Sequence, residues 1–192
     1  METIKGLKRT NYCGELRIED AGKEVTLFGW CQRQRDLGNL IFIDLRDRTG
    51  LVQLSFNDTT DREVFAKAQS VRAEYVVAAV GTVCERESKT NKIATGDIEI
   101  NVKEFRIISK AETPPFEIAK SEKVGDETTL KYRYLNLRNE KLTQNILMRH
   151  KIAKIAREYF YDNDFIEIET PMMIKSTPEG ARDYVVPSRV HN

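Results

Sequence analysis

The feature that most constrains the fold of this chain is a run of short segments between Val25 and Ile108 in which apolar and polar residues alternate. β-Branched and aromatic residues recur at every second position, and clusters of Asp, Asn, Gly and Thr separate the segments. Between the third and fourth segments the period changes to that of a helix. We therefore predict strands over residues 25–32, 40–45, 51–56, 75–83 and 98–108, with one helix over 61–72.

The predicted order of elements, β-β-β-α-β-β, is typical of an OB-fold, a small Greek-key barrel that often binds oligonucleotides. Tight turns over residues 36–39 and 47–50 contain Gly and Asn, which tolerate the positive φ that short hairpins require. On the order of elements alone, another small β-barrel or an α+β domain remains open. The predicted fold class is mainly β.

Two successive prolines, Pro114 and Pro115, end the predicted barrel because they offer no N–H group to a strand ladder. We predict a barrel domain over residues 1–112, a linker over 113–139 and the start of a second domain over 140–192. The linker is polar and charged over 120–127, and we expect it to hold no structure of its own.

Beyond the linker, apolar residues recur with a helical period and predict a helix over 140–161, followed by a strand over 165–170. Such a stripe more often faces a core than an interface. Its members are Met148, Ile152, Ile155 and Tyr159.

The overall composition excludes several classes of protein. The 31 Lys and Arg residues nearly balance the 30 Asp and Glu residues, so only local basic clusters can indicate a nucleic-acid partner. Cys13, Cys31 and Cys84 lie far apart, which predicts reduced thiols and neither a disulfide framework nor a metal site. No segment approaches the roughly 18 apolar residues of a spanning helix, so we expect a cytoplasmic protein without membrane association.

Aromatic and arginine side chains come together in the first two predicted strands and the turn between them. Rings that stack on bases, interleaved with guanidinium groups that pair with phosphates, are typical of single-stranded nucleic-acid binding. The alternative is that the rings belong to the barrel core and the arginines are simply solvated. The residues concerned are Phe28, Trp30, Arg33, Arg35 and Phe42.

A second basic cluster covers residues 131–157, where eight Lys and Arg residues accompany a single acidic residue, Glu140. It could follow an RNA backbone. It could equally form the solvated side of an amphipathic helix.

Three segments carry a resemblance to a known family. Residues 165–173, Phe-Ile-Glu-Ile-Glu-Thr-Pro-Met-Met, follow a long predicted helix and resemble motif 1 of the class II aminoacyl-tRNA synthetases. Residues 131–138, Lys-Tyr-Arg-Tyr-Leu-Asn-Leu-Arg, are similar to the segment that joins barrel and catalytic core in the aspartyl, asparaginyl and lysyl subgroup. Residues 176–184, Ser-Thr-Pro-Glu-Gly-Ala-Arg-Asp-Tyr, resemble the aspartyl branch, and residues 30–46 resemble the anticodon-reading strands of its bacterial-type members.

The resemblance implies roles for five barrel residues. Phe42 would stack on an anticodon base, and Gln53 and Glu99 would form hydrogen bonds with base edges. Arg33 and Arg35 would hold the RNA backbone or bases. These roles fit the chemistry of unpaired loop bases, which offer both a ring face and polar edges.

The resemblance also implies roles outside the barrel. Glu179 would bind the substrate aspartate at its α-ammonium group, and Pro171 would lie at a homodimer interface. The whole enzyme would use ATP and Mg²⁺ to form aspartyl-adenylate and then charge tRNA. Because motifs 2 and 3 of the family do not follow Asn192, we expect these 192 residues alone to contain no catalytic residue, to bind neither ATP nor Mg²⁺ and to form no adenylate.

One departure from the family and two alternatives remain. Family members usually carry Gly before the Phe of motif 1, so here Asn163 or Asp164 must make the left-handed helix stop. The chain could instead be a stand-alone, non-catalytic OB-fold module that binds RNA, or a lysyl or asparaginyl member. Among aspartyl members, some also charge the asparagine tRNA and often have His where this chain has Leu37, which favours the strict type.

Overall fold

The computed structural model describes residues 2–175, 184 and 186–190, and the chain divides into two compact units, Met1–Arg133 and Tyr134–Asn192. The first unit is a closed barrel with the strand order β1-β2-β3-β5-β4. Its strands pair antiparallel except for β3 and β5, which are parallel. The OB-fold barrel and its β-β-β-α-β-β order are confirmed. The elements are β1 Glu24–Asp36, β2 Ile41–Arg46, β3 Leu51–Phe56, α1 Arg62–Ser70, β4 Val76–Glu85 and β5 Ile98–Ser109.

The barrel closes around the apolar residues that alternate along its strands. In β2, for example, Ile41, Ile43 and Leu45 are fully buried while the residues between them face outward. At the centre, the rings of Phe56 and Phe105 meet edge to face at 5.1 Å. Each buried side chain of this size contributes about 1.5–3 kcal/mol to the free energy of unfolding, so the alternation fixes the face that each strand turns inward.

A β-bulge in β1 decides which side chains reach the outer surface. The ladder with β2 pairs Cys31 with Leu45 and resumes with Arg33 opposite Asp44, which leaves Gln32 as the extra residue. Positions 25, 27, 29 and 31 face inward before the bulge. Beyond it the phase reverses, and positions 33 and 35 face outward.

Helix α1 closes one end of the barrel. The carboxylate of Asp61 accepts hydrogen bonds from the backbone N–H groups of Glu63 and Val64 and so caps the first turn. Ala68 is fully buried, and Val64 and Phe65 pack against the barrel core. The helix covers Arg62–Ser70 and is therefore shorter than the predicted span of 61–72.

The expectation that the linker holds no structure of its own is wrong. A 3₁₀ helix covers Ile118–Lys123, and the short helices α2 (Asp126–Lys131) and α3 (Arg133–Asn136) follow. Phe116 and Ile118 are only 8% and 4% exposed, and burying these two side chains favours an ordered backbone around them. The first compact unit accordingly extends to Arg133, beyond the predicted barrel limit at residue 112.

The second unit contains one long helix, α4 (Glu140–Asp162), which matches the predicted span within one residue. Its end is a Schellman turn. The backbone N–H of Asp164 donates to the carbonyl of Tyr161 at 3.1 Å, and that of Phe165 donates to the carbonyl of Phe160 at 3.0 Å. Asp164 has a φ of 64°, so it makes the left-handed stop expected of Asn163 or Asp164. None of the described helices is long and apolar enough to cross a membrane.

The strand predicted over residues 165–170 does not form. A strand needs a neighbour to pair its N–H and C=O groups, and the described residues of the second unit contain no other strand. Phe165, Ile166 and Ile168 are instead highly exposed. The apolar stripe of α4 is exposed as well, since Met148, Ile152, Ile155 and Tyr159 are all at least 59% accessible.

Candidate nucleic-acid interface

Two rows of side chains, paired from strand to strand, cross the barrel at the level of the bulge, and two of their members, Gln53 and Ser55, are only 3% exposed. In one row Arg33 of β1 lies opposite Asp44 of β2, which lies opposite Gln53 of β3. Gln53 in turn reaches Glu99 of β5. Residues paired across a ladder share a face of the sheet, so four strands contribute to one polar row.

The second row places an aromatic ring beside these polar groups. Arg35 lies opposite Phe42, and Phe42 lies opposite Ser55. The guanidinium carbon of Arg35 is 5.3 Å from the centroid of the Phe42 ring, within the range of a cation–π contact. We call the outer surface formed by Arg33, Arg35, Phe42, Asp44, Gln53 and Glu99 the β1–β3 platform.

Arg35 is the centre of a hydrogen-bond network in the platform. Its Nη2 donates to Asp44 Oδ1 and to Gln53 Oε1, each at 2.9 Å. The Nε2 of Gln53 donates to Glu99 Oε2 at 2.7 Å. Since each bond restricts the next side chain, the network orients the amide of Gln53 and the carboxylate of Glu99 before any ligand arrives.

Arg33 has a different environment from Arg35. It is exposed, and its guanidinium has no hydrogen bond or ion pair within the described part of the chain. Arg35 carries an ion pair with Asp44 and keeps only 33% of its side-chain surface accessible. The structure therefore separates one free cation from one that is already neutralised and held in place.

Asp44 is the platform residue that sequence reasoning missed. The sequence does contain a signal for Asp44, because it stands two residues after Phe42 in a strand and must share the face of Phe42. Its partner could not be found from the alternation, since Arg35 reaches the same face only through the bulge.

Phe28 and Trp30 face outward but do not join the Phe42 ring. The guanidinium of Arg9 covers Phe28, with its central carbon 5.5 Å from the ring centroid, and Arg9 also donates to the carbonyl of Phe28 at 3.2 Å. Trp30 lies opposite Arg46 in the ladder. The aromatic group proposed from the sequence is therefore divided between two parts of the barrel surface.

A largely buried ion pair lies next to the platform. Arg46 donates two hydrogen bonds to the carboxylate of Glu74, at 2.8 and 2.9 Å, and their side chains are 14% and 8% exposed. Glu74 has a positive φ of 64°, and its backbone N–H donates to the carbonyl of Cys31 at 2.7 Å. The loop after α1 is thereby fixed against β1 next to the bulge.

The buried thiol of Cys31 has low chemical reactivity. Burial, together with the nearby carboxylates of Asp44 and Glu74, raises the pKa of Cys31 to about 12. Because a thiol with such a pKa stays protonated at neutral pH, it is a poor nucleophile and a poor metal ligand. Cys13, Cys31 and Cys84 are all free cysteines.

Comparison with known proteins identifies the family. Residues 25–108 match the OB-fold nucleic acid binding domain, and residues 125–192 match the class II tRNA synthetases (D, K and N). The aspartate–tRNA ligase of Ruminiclostridium cellulolyticum is 55% identical over 99% of this chain, and the aspartate–tRNA(Asp/Asn) ligase of Caldanaerobacter subterraneus subsp. tengcongensis is 54% identical over the same share. The chain belongs to the aspartate–tRNA ligase family. It spans about 32% of the length of these two relatives.

Solved structures of synthetases share the fold of this member of the aspartate–tRNA ligase family. The asparaginyl-tRNA synthetase of Pyrococcus horikoshii, in complex with asparaginyl-adenylate, aligns with a TM-score of 0.78 and 27% identity, covering 91% of this chain and 39% of that chain. The aspartyl-tRNA synthetase of Entamoeba histolytica also aligns with a TM-score of 0.78 at 27% identity, covering 87% of this chain and 40% of that chain.

Two residues with expected roles in the aspartate–tRNA ligase family lie outside the platform. Glu179 lies outside the described residues. Pro171 is described and exposed, and it belongs to a stretch without regular secondary structure.

Proposed function

We propose that this chain reads the anticodon of a tRNA through the β1–β3 platform, as part of an aspartate–tRNA ligase. The observation that carries the proposal is the Arg35 network, which holds an aromatic ring, an amide and a carboxylate side by side on an OB-fold face. These are the groups that unpaired bases require, a surface for stacking and partners for their polar edges.

Five of the six platform residues have a distinct role in the proposal. Phe42 supports the face of one anticodon base. Gln53 and Glu99 meet base edges with the second amide N–H of Gln53 and the second carboxylate oxygen of Glu99, which the bond from Arg35 and the bond between the two residues leave free. Arg35 fixes the positions of Phe42 and Gln53, whereas the unpaired Arg33 meets a backbone phosphate.

The whole enzyme would activate aspartate with ATP and transfer it to tRNA, with Mg²⁺ offsetting phosphate charge. Glu179 would bind the α-ammonium group of aspartate through a charge-assisted hydrogen bond. The described residues contain no group of three or more His, Cys, Asp or Glu side chains that could hold a metal ion. We expect the isolated 192 residues to bind RNA without forming adenylate.

Three further proposals concern the assembly and its surroundings. Pro171 and the exposed stripe of α4 would contact a second subunit in a homodimer, because an exposed apolar helix face of this extent needs a cover. The enzyme would act in the cytoplasm. Its tRNA would be that of aspartate. The relatives include both aspartate–tRNA ligases and aspartate–tRNA(Asp/Asn) ligases, so the asparagine tRNA is a second candidate substrate.

Substitution of Phe42 tests the proposal directly. We expect Phe42→Ala to weaken binding of an aspartate anticodon stem-loop by about 1–3 kcal/mol, the usual contribution of one base–aromatic stack. Binding is measured by fluorescence anisotropy with the 192-residue chain. The matched control is Tyr161→Ala, which removes an aromatic side chain that is 79% exposed on α4 and should leave the affinity unchanged. Equal affinities of Phe42→Ala and the unmodified chain would refute the proposal.

A further inference from the structure

An open cleft of about 420 Å³ adjoins the β1–β3 platform on the side of the bulge. One wall is formed by the bulged part of β1, a second by the loop after α1, and a third by the beginning of the 3₁₀ helix at Ile118–Lys123. Arg33 belongs to both the platform and the cleft, so a ligand on the platform can continue into the cleft.

Three cations and one carboxylate line this cleft, namely Arg33, Arg72, Lys120 and Glu117. Lys120 pairs with Glu117 at 2.7 Å, and both side chains remain about 60% exposed. Arg33 and Arg72 have no carboxylate partner within the described residues. The cleft therefore keeps a positive charge that the chain itself does not neutralise.

Hydrogen bonds order two of the three walls of the cleft, the bulged part of β1 and the loop after α1. Gln34 donates from Nε2 to the carbonyls of Ala68 and Gln69 at 3.1 and 3.2 Å, which ties β1 to the end of α1. Arg72 donates from Nη1 to the carbonyls of Gln69 and Val71 at 3.0 and 2.9 Å. The remaining N–H groups of Arg72 stay available to a ligand.

The side chains of the cleft fit phosphate groups better than bases. None of the side chains that line it, all within the described part of the chain, is aromatic, whereas recognition of unpaired bases depends on stacking. Arg and Lys side chains are the usual contacts to phosphate oxygens, and two of the three cations here, Arg33 and Arg72, have no acidic partner within the described residues.

We infer that this cleft binds backbone phosphates of the RNA stem next to the loop bases read by the platform. The inference rests on the proposed reading of an anticodon, because a stem-loop places duplex phosphates directly beside the unpaired bases. Arg33 joins the two sites. Arg72 and Lys120 would contact the stem, and Glu117 would weaken that contact by occupying Lys120.

Lys120→Ala provides the test, because Lys120 is exposed and supports no buried group. The slope of log K against log salt concentration is negative, and each lost phosphate contact decreases its magnitude by about one. We expect this decrease with an aspartate anticodon stem-loop, together with an affinity about eightfold lower at 0.1 M salt, from a slope of about 0.9 for each phosphate. With a seven-nucleotide single strand of the loop sequence, Lys120→Ala should bind like the unmodified chain. Glu117→Gln should have the opposite effect and strengthen binding of the stem-loop alone.

A control variant, Lys103→Ala, and the Phe42→Ala variant described above separate the failure of this inference from the failure of the proposed function. Lys103→Ala removes an exposed lysine that pairs with Glu24 on another part of the barrel and should leave the salt slope unchanged. If Lys120→Ala leaves the stem-loop slope unchanged while Phe42→Ala still weakens binding, the cleft is not a phosphate site and only this inference falls. The same result follows if Lys120→Ala weakens binding of the single strand as much as that of the stem-loop. If the unmodified chain binds neither RNA, both proposals fall.

Discussion

Arg33 and Arg35 lie two residues apart on the same outer face, but their different surroundings give them different roles. Arg35 is paired with Asp44 and lies beside the ring of Phe42, so its charge is already compensated. Arg33 is exposed and unpaired within the described chain. The first therefore orders the platform, and the second is available to a phosphate.

This difference predicts opposite results from two alanine substitutions. Arg33→Ala should lower the salt slope of stem-loop binding by about one unit and weaken all RNA sequences alike. Arg35→Ala should leave the slope nearly unchanged but reduce discrimination between anticodons, because Gln53 and Phe42 lose their common support. Titrations at several salt concentrations measure both quantities. Equal changes of slope in the two variants would contradict the assignment.

At the scale of elements, the end of α4 depends on one residue in a left-handed conformation. Asp164 adopts a φ of 64°, which costs a residue with a Cβ about 1–2 kcal/mol and glycine almost nothing. We expect Asp164→Gly to strengthen the helix end and Asp164→Val to weaken it.

Hydrogen exchange at the backbone N–H of Phe165, which donates to the carbonyl of Phe160, measures this effect. Exchange should be slower in Asp164→Gly and faster in Asp164→Val than in the unmodified chain. Identical exchange rates in the two variants would show that the Schellman turn is not maintained in solution.

A second element, the turn between β2 and β3, holds the N-terminal segment through Asp47. Burial acts to raise the pKa of Asp47, but hydrogen bonds from the backbone of Cys13 and from Thr49 outweigh it and hold the pKa below its usual value. The bond from Cys13 is 2.7 Å long. A carboxyl group whose pKa is lowered by folding stabilises the fold above its unfolded pKa, and this stability is lost as the pH falls through the folded pKa.

Asp47→Ala should therefore destabilise the barrel by about 1–3 kcal/mol at pH 7, the penalty for leaving a buried donor unsatisfied. The difference in melting temperature between this variant and the unmodified chain should shrink as the pH falls below about 4, where the carboxyl group becomes protonated first in the unfolded state and, at lower pH, in the folded state as well. A difference that stays constant between pH 7 and pH 3 would exclude this role.

The limits of individual strands show which parts of the fold can be predicted from the sequence and which cannot. The limits of β3 follow from its alternation and from Gly50, and the prediction of residues 51–56 is confirmed. β1 was expected to end at residue 32, but it continues to Asp36 because the bulge lets a strand change phase, which a strict period of two cannot represent.

Tertiary contacts explain the remaining differences. The strand expected over 165–170 has every local signal but lacks a neighbouring strand in the described chain. The linker becomes ordered because Phe116 and Ile118 find a buried site. At the platform, the sequence indicated which side chains matter, but only the fold shows that Arg35 connects Asp44 to Gln53.

For the whole molecule, burial differs sharply between the two units. The barrel encloses a continuous apolar core, whereas α4 has no buried residue. A stand-alone RNA-binding module gives no reason for the exposed apolar stripe, while a subunit contact in a larger enzyme does.

This contrast predicts the pattern of hydrogen exchange in the isolated 192-residue chain. Amides of β2 and β3 should exchange only through global unfolding, and those of α4 should exchange through local opening that requires much less free energy. Mass spectrometry of deuterium uptake by segment resolves the two regions. Protection of α4 equal to that of β2 would mean that its apolar face is covered in solution.

The most direct test of the platform as an anticodon reader is the affinity of the unmodified chain for two stem-loops that differ only in their anticodon bases. We predict that the aspartate anticodon binds roughly tenfold or more tightly than the replaced one, in keeping with about 1–3 kcal/mol for each specific contact to a base edge. The preference should disappear when Gln53 and Glu99 are both changed to Ala. Equal affinities of the unmodified chain for the two stem-loops would contradict the account.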